Sequence, residues 1–275
     1  MELLPISVVI LTLNESERIE RCLESVRKFR QVIVVDSLSK DATLDRARSL
    51  WRSWGEDETR LTLVSRPWPG FTLARNESLG WVREPWVLWL DADEWVSPEL
   101  VAWCGSLGAL PSSDTAPLYK VARQSFFLGT RIRHGGWYPD HKRRLALSLR
   151  ATWRSGPHGS DVHEDLDVAR DGEFAMALLA QGEIFHEPFR DEAEQRATNE
   201  LYSGLLARGL SERWRREGRK RGPSELFVCL KVIVKFLENY VLKCGFLDGR
   251  AGLKIATGSA WSMGERLRKA RALLS

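Results

Sequence analysis

The chain has 275 residues, 43% of them hydrophobic, which is enough to bury the core of one large domain or of a domain with an extension. Its four cysteines show no metal-type or paired spacing, which indicates a reducing cytosol, and the first residues lack the basic region of a signal peptide. From Arg208 to the end, sixteen Lys and Arg oppose six Asp and Glu, a net charge of +10, whereas the rest of the chain has 25 against 31 and therefore −6. Such a basic end is typical of contact with nucleic acid or an anionic membrane.

The first half of the chain alternates between strand and helix patterns. Short apolar runs predict buried strands at residues 6–12, 31–36, 61–65 and 87–90, with helices near residues 16–29, 42–54 and 72–81. Ser97 predicts the start of a further helix, because Pro and Glu follow it and fit the first turn. The alternation implies βαβ units and a mostly parallel α/β sheet.

The second half has a different pattern. Beyond residue 115, short strands are predicted at residues 118–123 and 143–149, between loops rich in Gly, His and Trp. A helical pattern covers residues 192–210, and the charged run 213–221 is interpreted as a linker or a solvated helix end.

Residues 226–244 are apolar, but four charged side chains interrupt them, so we do not expect a membrane span. The pattern instead predicts an amphipathic helix, in which one face carries Phe227, Leu230, Ile233, Val234, Leu237, Tyr240 and Val241. Two interpretations stay open. The helix either packs on the protein core or lies in a membrane interface, where nearby basic residues would attract anionic lipid.

An acidic pair follows the fourth predicted strand. Asp91 and Asp93 are one residue apart at the carboxyl end of that strand, and two close carboxylates repel each other unless a positive charge lies between them. A divalent cation that carries a phosphorylated ligand would resolve this conflict, since Mg²⁺ binds through one or two carboxylates plus substrate phosphates. A motif this short is common by chance, so the hypothesis needs support from the rest of the chain.

Polar clusters also follow the first two strands, at residues 12–15 and 36–41. The carboxyl ends of parallel strands converge on one crevice, so these clusters are expected beside the acidic pair. No Gly-rich phosphate loop follows the first strand, which argues against NAD enzymes and P-loop NTPases. A nucleotide would then be held by carboxylates and by a metal on its phosphates.

The chain resembles the inverting family 2 glycosyltransferases of the GT-A fold in three motifs, at residues 7–15, 34–43 and 91–94. It is also similar to the bacterial lipopolysaccharide-core β-glucosyltransferase branch at residues 134–140, 143–145, 162–164 and 245–253. This resemblance implies a Rossmann-like GT-A domain over residues 1–210, with a mostly parallel central sheet flanked by helices. Within it, residues 1–115 would bind the nucleotide sugar and residues 116–210 the acceptor. Residues 211–275 would form a basic, amphipathic helical extension.

The resemblance also implies the ligands of each part of the site. It assigns the nucleotide sugar to Thr12, Asn14, Glu15, Asp36, Arg75 and Asp91. It assigns a divalent metal, Mg²⁺ or Mn²⁺, to Asp91 and Asp93, with His163 as a possible further ligand or a structural residue. Many relatives have two Asp residues where this chain has Asp36 and Ser37, which leaves the contact to the base open. Asp36 could also be a turn residue and Arg75 a surface helix residue.

An inverting transfer is a single displacement, and the attacking acceptor hydroxyl must lose its proton to a base. The acidic pair lies on the leaving-group side, so a further carboxylate is expected from the second half. Glu164 is the first choice because of its place in the resemblance, and Asp140 is the second, although Glu164 could also be a surface carboxylate. Four residues are candidates for the acceptor or diphosphate side. Trp137 could stack on a sugar, and Asp140 is expected on the same side. Arg143 and Arg144 could clamp the diphosphate or an anionic acceptor through paired N–H groups. His186 is a further candidate.

The sequence therefore predicts a metal-dependent inverting glycosyltransferase at the inner face of the cytoplasmic membrane. Its donor would be a UDP-hexose, with glucose favoured by the resemblance, and its acceptor a lipopolysaccharide core or another lipid-linked glycan. An anionic membrane surface is a possible partner, and nucleic acid is not expected. A polyprenyl-phosphate or exopolysaccharide glycosyltransferase and a non-catalytic nucleotide-sugar binding module remain alternatives. A glycoside hydrolase would need neither a metal pair nor a nucleotide-binding half.

Overall fold

A computed structural model describes residues 2–107, 117–156, 160–168 and 176–274, apart from the side chains of residues 156, 160–164, 168, 176 and 180. The chain forms two compact units. The first comprises Met1–Arg123 and Asp140–His186, and the second comprises Gln124–Pro139 and Glu187–Ser275. Neither unit begins or ends at residue 210. The domain boundary predicted after residue 210 therefore stays a prediction.

The predicted strands and helices of the first half are confirmed, with small shifts at their ends. The strands are β1 (Leu4–Thr12), β2 (Phe29–Asp36), β3 (Leu61–Ser65), β4 (Trp86–Asp91), β5 (Glu94–Val96), β6 (Leu118–Phe127), β7 (Thr130–Arg131), β8 (Asp140–Leu147), β9 (Ala151–Gly156), β10 (Ser160–Val168) and β11 (Met176–His186). The helices among them are α1 (Ile19–Ser25), α2 (Thr43–Ser53), α3 (Phe71–Ser78) and α4 (Pro98–Cys104). Ser97 caps α4 as predicted, because its hydroxyl accepts the Leu100 N–H.

The main sheet has the strand order β3-β2-β1-β4-β8-β6-β11-β5. The four strands β3, β2, β1 and β4 pair in parallel, and the strands beyond β4 add the antiparallel pairs β4–β8, β8–β6 and β11–β5. Strands β9 and β10 form a separate antiparallel pair. Together with the helical C-terminal region, this α/β sheet confirms the predicted fold class.

Strand β1 is the centre of the parallel part and is buried on both faces. Val8 and Ile10 belong to one hydrophobic cluster, while Val9 and Leu11 belong to the cluster on the other side of the sheet. Successive side chains of a strand point to opposite faces, so a strand covered on both sides is apolar throughout. The parallel strands could therefore be predicted from continuous apolar runs in the sequence.

The second unit is mainly helical. It contains α5 (Glu192–Arg216), α6 (Glu225–Leu237), a π-helical turn (Glu238–Leu242), a 3₁₀ turn (Gly245–Asp248) and α7 (Gly249–Ala272). Helices α5 and α6 both pack against α7, around a core of Ala207, Trp214, Val228, Leu267 and Ala270. In the part of the chain that the structure describes, no helix is both long and apolar enough to cross a bilayer.

Candidate active site

The candidate site lies at the carboxyl edge of the parallel strands in the first unit. In the strand register, Thr12 at the end of β1 is opposite Asp36 at the end of β2, and Leu11 is opposite Asp91 at the end of β4. The chain leaves β1 towards β2 and β3 and later returns to β4 on the other side of β1. That reversal makes the space between β1 and β4 a topological switch point, where open α/β sheets bind ligands.

Asp91 is held by two arginines. Its Oδ1 accepts a hydrogen bond from Nη2 of Arg75 at 2.9 Å, and its Oδ2 accepts one from Nη2 of Arg144 at 2.9 Å. Burial acts to raise the pKa of Asp91, but the charges of Arg144 and Arg75 outweigh burial and hold this pKa well below its ordinary value. Asp91 is therefore a carboxylate over the whole physiological pH range.

Glu94 bonds both the backbone of Asp91 and an arginine that holds the Asp91 side chain. Its side chain is fully buried, its Oε2 accepts the N–H of Asp91 at 3.0 Å, and its Oε1 accepts from Arg144 at 3.2 Å and from Arg123 at 3.0 Å. A buried carboxylate is stable only when it is paired in this way. Sequence reasoning assigned no role to Glu94, although its place directly after the pair, as a third acidic residue, was a usable signal.

Asp93 is the residue of the pair with a carboxylate oxygen that has no hydrogen-bond partner among the described residues. Its Oδ1 is buried without a hydrogen-bond partner among the described residues, and its Oδ2 lies 3.5 Å from Nε2 of His186. His186 ends β11, opposite Glu94 of β5 in the strand register. A buried polar atom without a partner calls for an explanation such as a ligand that the structure does not contain.

These donors fit a hard divalent cation. Asp91 and Asp93 offer carboxylate oxygens, and Mg²⁺ needs only one or two of these when the substrate supplies phosphate oxygens. The described residues hold no group of three or more His, Cys, Asp and Glu side chains that could bind a metal by themselves. A metal here would therefore depend on oxygens from its ligand. Among the described side chains, His186 lies beside the pair, whereas the side chain of His163 lies outside the described residues and its role as a ligand stays a prediction.

The end of β1 and the loop after it carry three of the predicted nucleotide ligands. Thr12 Oγ1 is buried and has no partner within the described part of the chain. Asn14 takes a left-handed conformation (φ 56°), and its N–H donates to the Ser39 hydroxyl at 2.8 Å. The Glu15 carboxylate is paired with Arg18. The Asn14 side chain also accepts the Lys40 N–H at 2.8 Å. Thr12 Oγ1 is thus open to a ligand, whereas Asn14 and Glu15 also hold the loop in place.

Asp36 is buried and tied to its own loop. Its carboxylate accepts the Ser39 N–H at 2.9 Å, the Ser39 hydroxyl, and the Ser65 hydroxyl at 3.3 Å. These bonds agree with the turn role that the sequence left open for Asp36. They also fix the carboxylate beside Thr12, where it could serve a base or ribose.

Arg143 and Arg144 contact different groups. Arg144 bonds Asp91 and Glu94, whereas Arg143 pairs with Asp165 of β10 at 2.6 Å and donates to the Leu166 carbonyl at 3.2 Å. Consecutive residues of a strand point to opposite faces, so the two guanidinium groups have different partners. A role of Arg143 or Arg144 in clamping an anion stays a prediction.

The positive partners of Asp140 make its carboxylate a weak proton acceptor. Its carboxylate is paired with Arg123 at 2.7 Å and with Lys142 at 3.1 Å. Burial acts to raise its pKa, but Arg123 and Lys142 outweigh burial and lower it below its ordinary value. A carboxylate that binds protons weakly is an inefficient general base at neutral pH.

The remaining predicted residues are placed only in part. Trp137 belongs to the second unit, where it packs edge-on against Phe127 with ring centroids 6.2 Å apart. His163 and Glu164 fall within β10, and their side chains lie outside the described residues. Their strand neighbour Asp165 is paired with Arg143, which brings this part of β10 to β8.

Arg75→Met is expected to lower the free energy of unfolding by about 1.5–3 kcal/mol, the range for a hydrogen bond to a charged group. Arg75 is buried, bonds Asp91 and lies with its guanidinium carbon 4.4 Å from the ring centroid of Trp153. Urea unfolding of the variant measures the change. The control is Arg46→Met, which removes a half-exposed pair with Glu20 and is expected to cost about 0–1 kcal/mol. Equal losses in the two variants would contradict a stabilising role of the buried pair.

Comparison with known proteins identifies the family. Residues 7–103 match the model of glycosyl transferase family 2. A glycosyltransferase of Rickettsia conorii is 38% identical over 277 residues, covering 97% of this chain and 89% of the relative. The lipopolysaccharide core biosynthesis glycosyltransferase LpsC of Rhizobium meliloti is 29% identical over 154 residues, which is 55% of this chain and 53% of LpsC.

Parts of two solved structures are similar to part of this chain. Glucosyl-3-phosphoglycerate synthase of Mycobacterium tuberculosis, in complex with Mn²⁺, UDP and phosphoglyceric acid, matches with a TM-score of 0.36 and 24% identity over 52% of this chain. TarS of S. aureus in complex with UDP matches with a TM-score of 0.36 and 23% identity over 46% of this chain. The matched parts are 56% and 36% of those two structures.

Proposed function

Because this chain belongs to glycosyl transferase family 2, we propose that it is a metal-dependent inverting enzyme that transfers a hexose from a UDP-sugar. The acceptor in this proposal is a lipopolysaccharide core or another lipid-linked glycan, and glucose is the favoured hexose. Glycosyl transfer itself follows from the family. The donor, metal and acceptor are the parts that experiment must decide.

One observation carries the proposal: the acidic pair Asp91 and Asp93 stands at the topological switch point of the sheet, beside buried oxygens that lack hydrogen-bond partners among the described residues. Thr12 Oγ1 and Asp93 Oδ1 are both buried at this edge and lack partners among the described residues. A nucleotide diphosphate with its metal would supply a partner to each, and ligands of open α/β sheets bind at this place. Asp36, adjacent to Thr12 across the register, supports a nucleotide rather than a bare phosphate.

Asp91 and Asp93 would hold Mg²⁺ or Mn²⁺, with His186 next to Asp93. When bound, the metal stabilises the negative charge that grows on the leaving diphosphate. Metal ligands must be deprotonated, and the lowered pKa of Asp91 meets that condition because Arg75 and Arg144 keep its proton off. In this proposal the two arginines orient Asp91 for a cation, and the contact of Arg75 with the nucleotide sugar stays a prediction.

In an inverting transfer, the acceptor oxygen forms a bond to the anomeric carbon while the bond from that carbon to the diphosphate oxygen breaks. The acceptor proton goes to a carboxylate on the side opposite the leaving group, and Glu164 is the proposed acceptor of that proton. One observation supports this choice over Asp140, whose carboxylate is held by Arg123 and Lys142.

The similarity to LpsC supports a lipopolysaccharide-core acceptor, since LpsC is named for lipopolysaccharide core biosynthesis. Such an acceptor would place the enzyme at the inner face of the cytoplasmic membrane. A capsule, exopolysaccharide or polyprenyl-phosphate acceptor would use the same donor site. The donor site therefore does not distinguish these acceptors.

A panel of nucleotide sugars tests the donor. We expect UDP-glucose with Mn²⁺ to raise the melting temperature, and GDP- and dTDP-sugars or UDP-glucose with EDTA to have little effect. A transfer assay with radiolabelled UDP-glucose and lipopolysaccharide-core acceptors then tests the reaction. Binding without turnover on any acceptor would favour the non-catalytic binding module, and stabilisation by a GDP-sugar instead would overturn the UDP assignment.

A further inference from the structure

The second unit has a long apolar surface that no helix of its own unit covers. Between 45% and 82% of each side chain in this surface is exposed to solvent. We call it the α6 stripe; it comprises Leu226, Phe227, Leu230, Ile233, Val234, Leu237 and Val241. Exposed Phe246 and Leu247 of the 3₁₀ turn follow it along the chain. Contiguous apolar surface of this extent marks a contact site for a partner or a membrane.

The stripe is not the face by which α6 packs in its unit. At 100° per residue, its members span about 120° of the helix circumference. On the opposite side, Val228 and the partly buried Val232 pack in the core with Leu267 and Ala270, and Asn239 is buried as well. The helix therefore packs on its unit by one face, whereas the face predicted to be its apolar side is directed to solvent.

The charges around the stripe are mainly basic. Lys231 is exposed at its border, and exposed basic residues 219–221 precede α6. Glu238 is paired with Lys235 and Lys243, so the acidic residue of this stretch is neutralised. Long basic side chains at the edge of an apolar face can extend to lipid headgroups while the face enters the acyl boundary.

We propose that the α6 stripe docks on the surface of an anionic lipid bilayer, with α6 lying in the plane of the interface. The net charge of +10 from residue 208 onward complements anionic lipid, which attracts basic residues close to the surface. A continuous stripe on one convex helix suits a flat bilayer, where every apolar residue can be inserted to a similar depth. This inference does not depend on the proposed reaction, because it concerns lipid without any sugar acceptor.

Vesicle sedimentation of the full chain tests the docking surface. We expect the protein to bind phosphatidylcholine vesicles that contain phosphatidylglycerol, to bind pure phosphatidylcholine vesicles much less, and to be released partly by salt. The variant Leu230→Glu/Ile233→Glu should partition at least about tenfold less, since each change puts a charge in the apolar face. Its fold should persist, because both side chains are exposed.

A matched control carries the same added charge elsewhere. Leu149→Glu/Leu178→Glu changes two exposed apolar residues of the first unit and should bind vesicles like the wild type. Equal losses in both variants would mean that net charge alone acts, which overturns the α6 stripe as the docking face. Failure of the wild type to bind anionic vesicles at low salt also overturns the proposal, whatever the variants do. A dimer in sedimentation velocity that Leu230→Glu/Ile233→Glu abolishes, without vesicle binding, would assign the stripe to a second copy of the chain.

Discussion

Asp93→Ala is expected to abolish turnover and to weaken the metal-dependent binding of UDP by at least about 100-fold. Loss of a residue that merely supports a metal ligand costs about 10–100-fold, so loss of a ligand should cost no less. The structure adds a specific reason. Asp93 Oδ1 is buried without a partner among the described residues, so it is the oxygen of the pair that a cation would use.

Isothermal titration of UDP with and without Mn²⁺ measures this change, next to a transfer assay on the same samples. The control is Asp45→Ala, which removes an exposed carboxylate of α2 and should leave both quantities unchanged. Because Asp93 bonds no backbone group in the described structure, its variant should remain folded. Metal-dependent UDP binding within a few-fold of the wild type would show that the metal, if used, is held elsewhere.

Glu164→Gln is expected to abolish turnover and to leave UDP and metal binding intact. A positioned general base contributes about 10²–10⁴-fold, and glutamine keeps the size of the side chain while it cannot take up the proton. The separation of binding from turnover distinguishes this variant from Asp93→Ala. Binding and turnover are expected to separate because the proposed base acts on the acceptor, whereas the acidic pair acts on the donor.

Asp140→Asn is the comparison for this prediction. Asp140 is paired with Arg123 and Lys142, and Arg123 keeps its bond to Glu94 when Asp140 is neutralised. We therefore expect Asp140→Asn to lower turnover by less than about tenfold. Loss of a general base would lower it by at least about 10²-fold. If Glu164→Gln kept more than a tenth of the activity while Asp140→Asn lost it, the assignment of the base would be reversed.

The sequence predicted the parallel part of the sheet well because each signal there is local. Buried strands such as β1 and β4 are apolar runs that end in polar residues, and the end of β4 at Asp91 was expected from that pattern. The second half was harder to predict. Its strands pair with partners far away in the chain, and α6 is apolar on two faces, so periodicity alone could not identify the solvent-exposed one.

The family, the acidic pair and its place beside Thr12 and Asp36 could all be predicted from the sequence. Short motifs and the rule that parallel strands end at one edge were enough for this. The side chains that surround the pair could not be predicted in this way. Arg144 reaches Asp91 from 53 residues away and His186 reaches Asp93 from β11, because strand order and register bring them together, and no local pattern of residues encodes either.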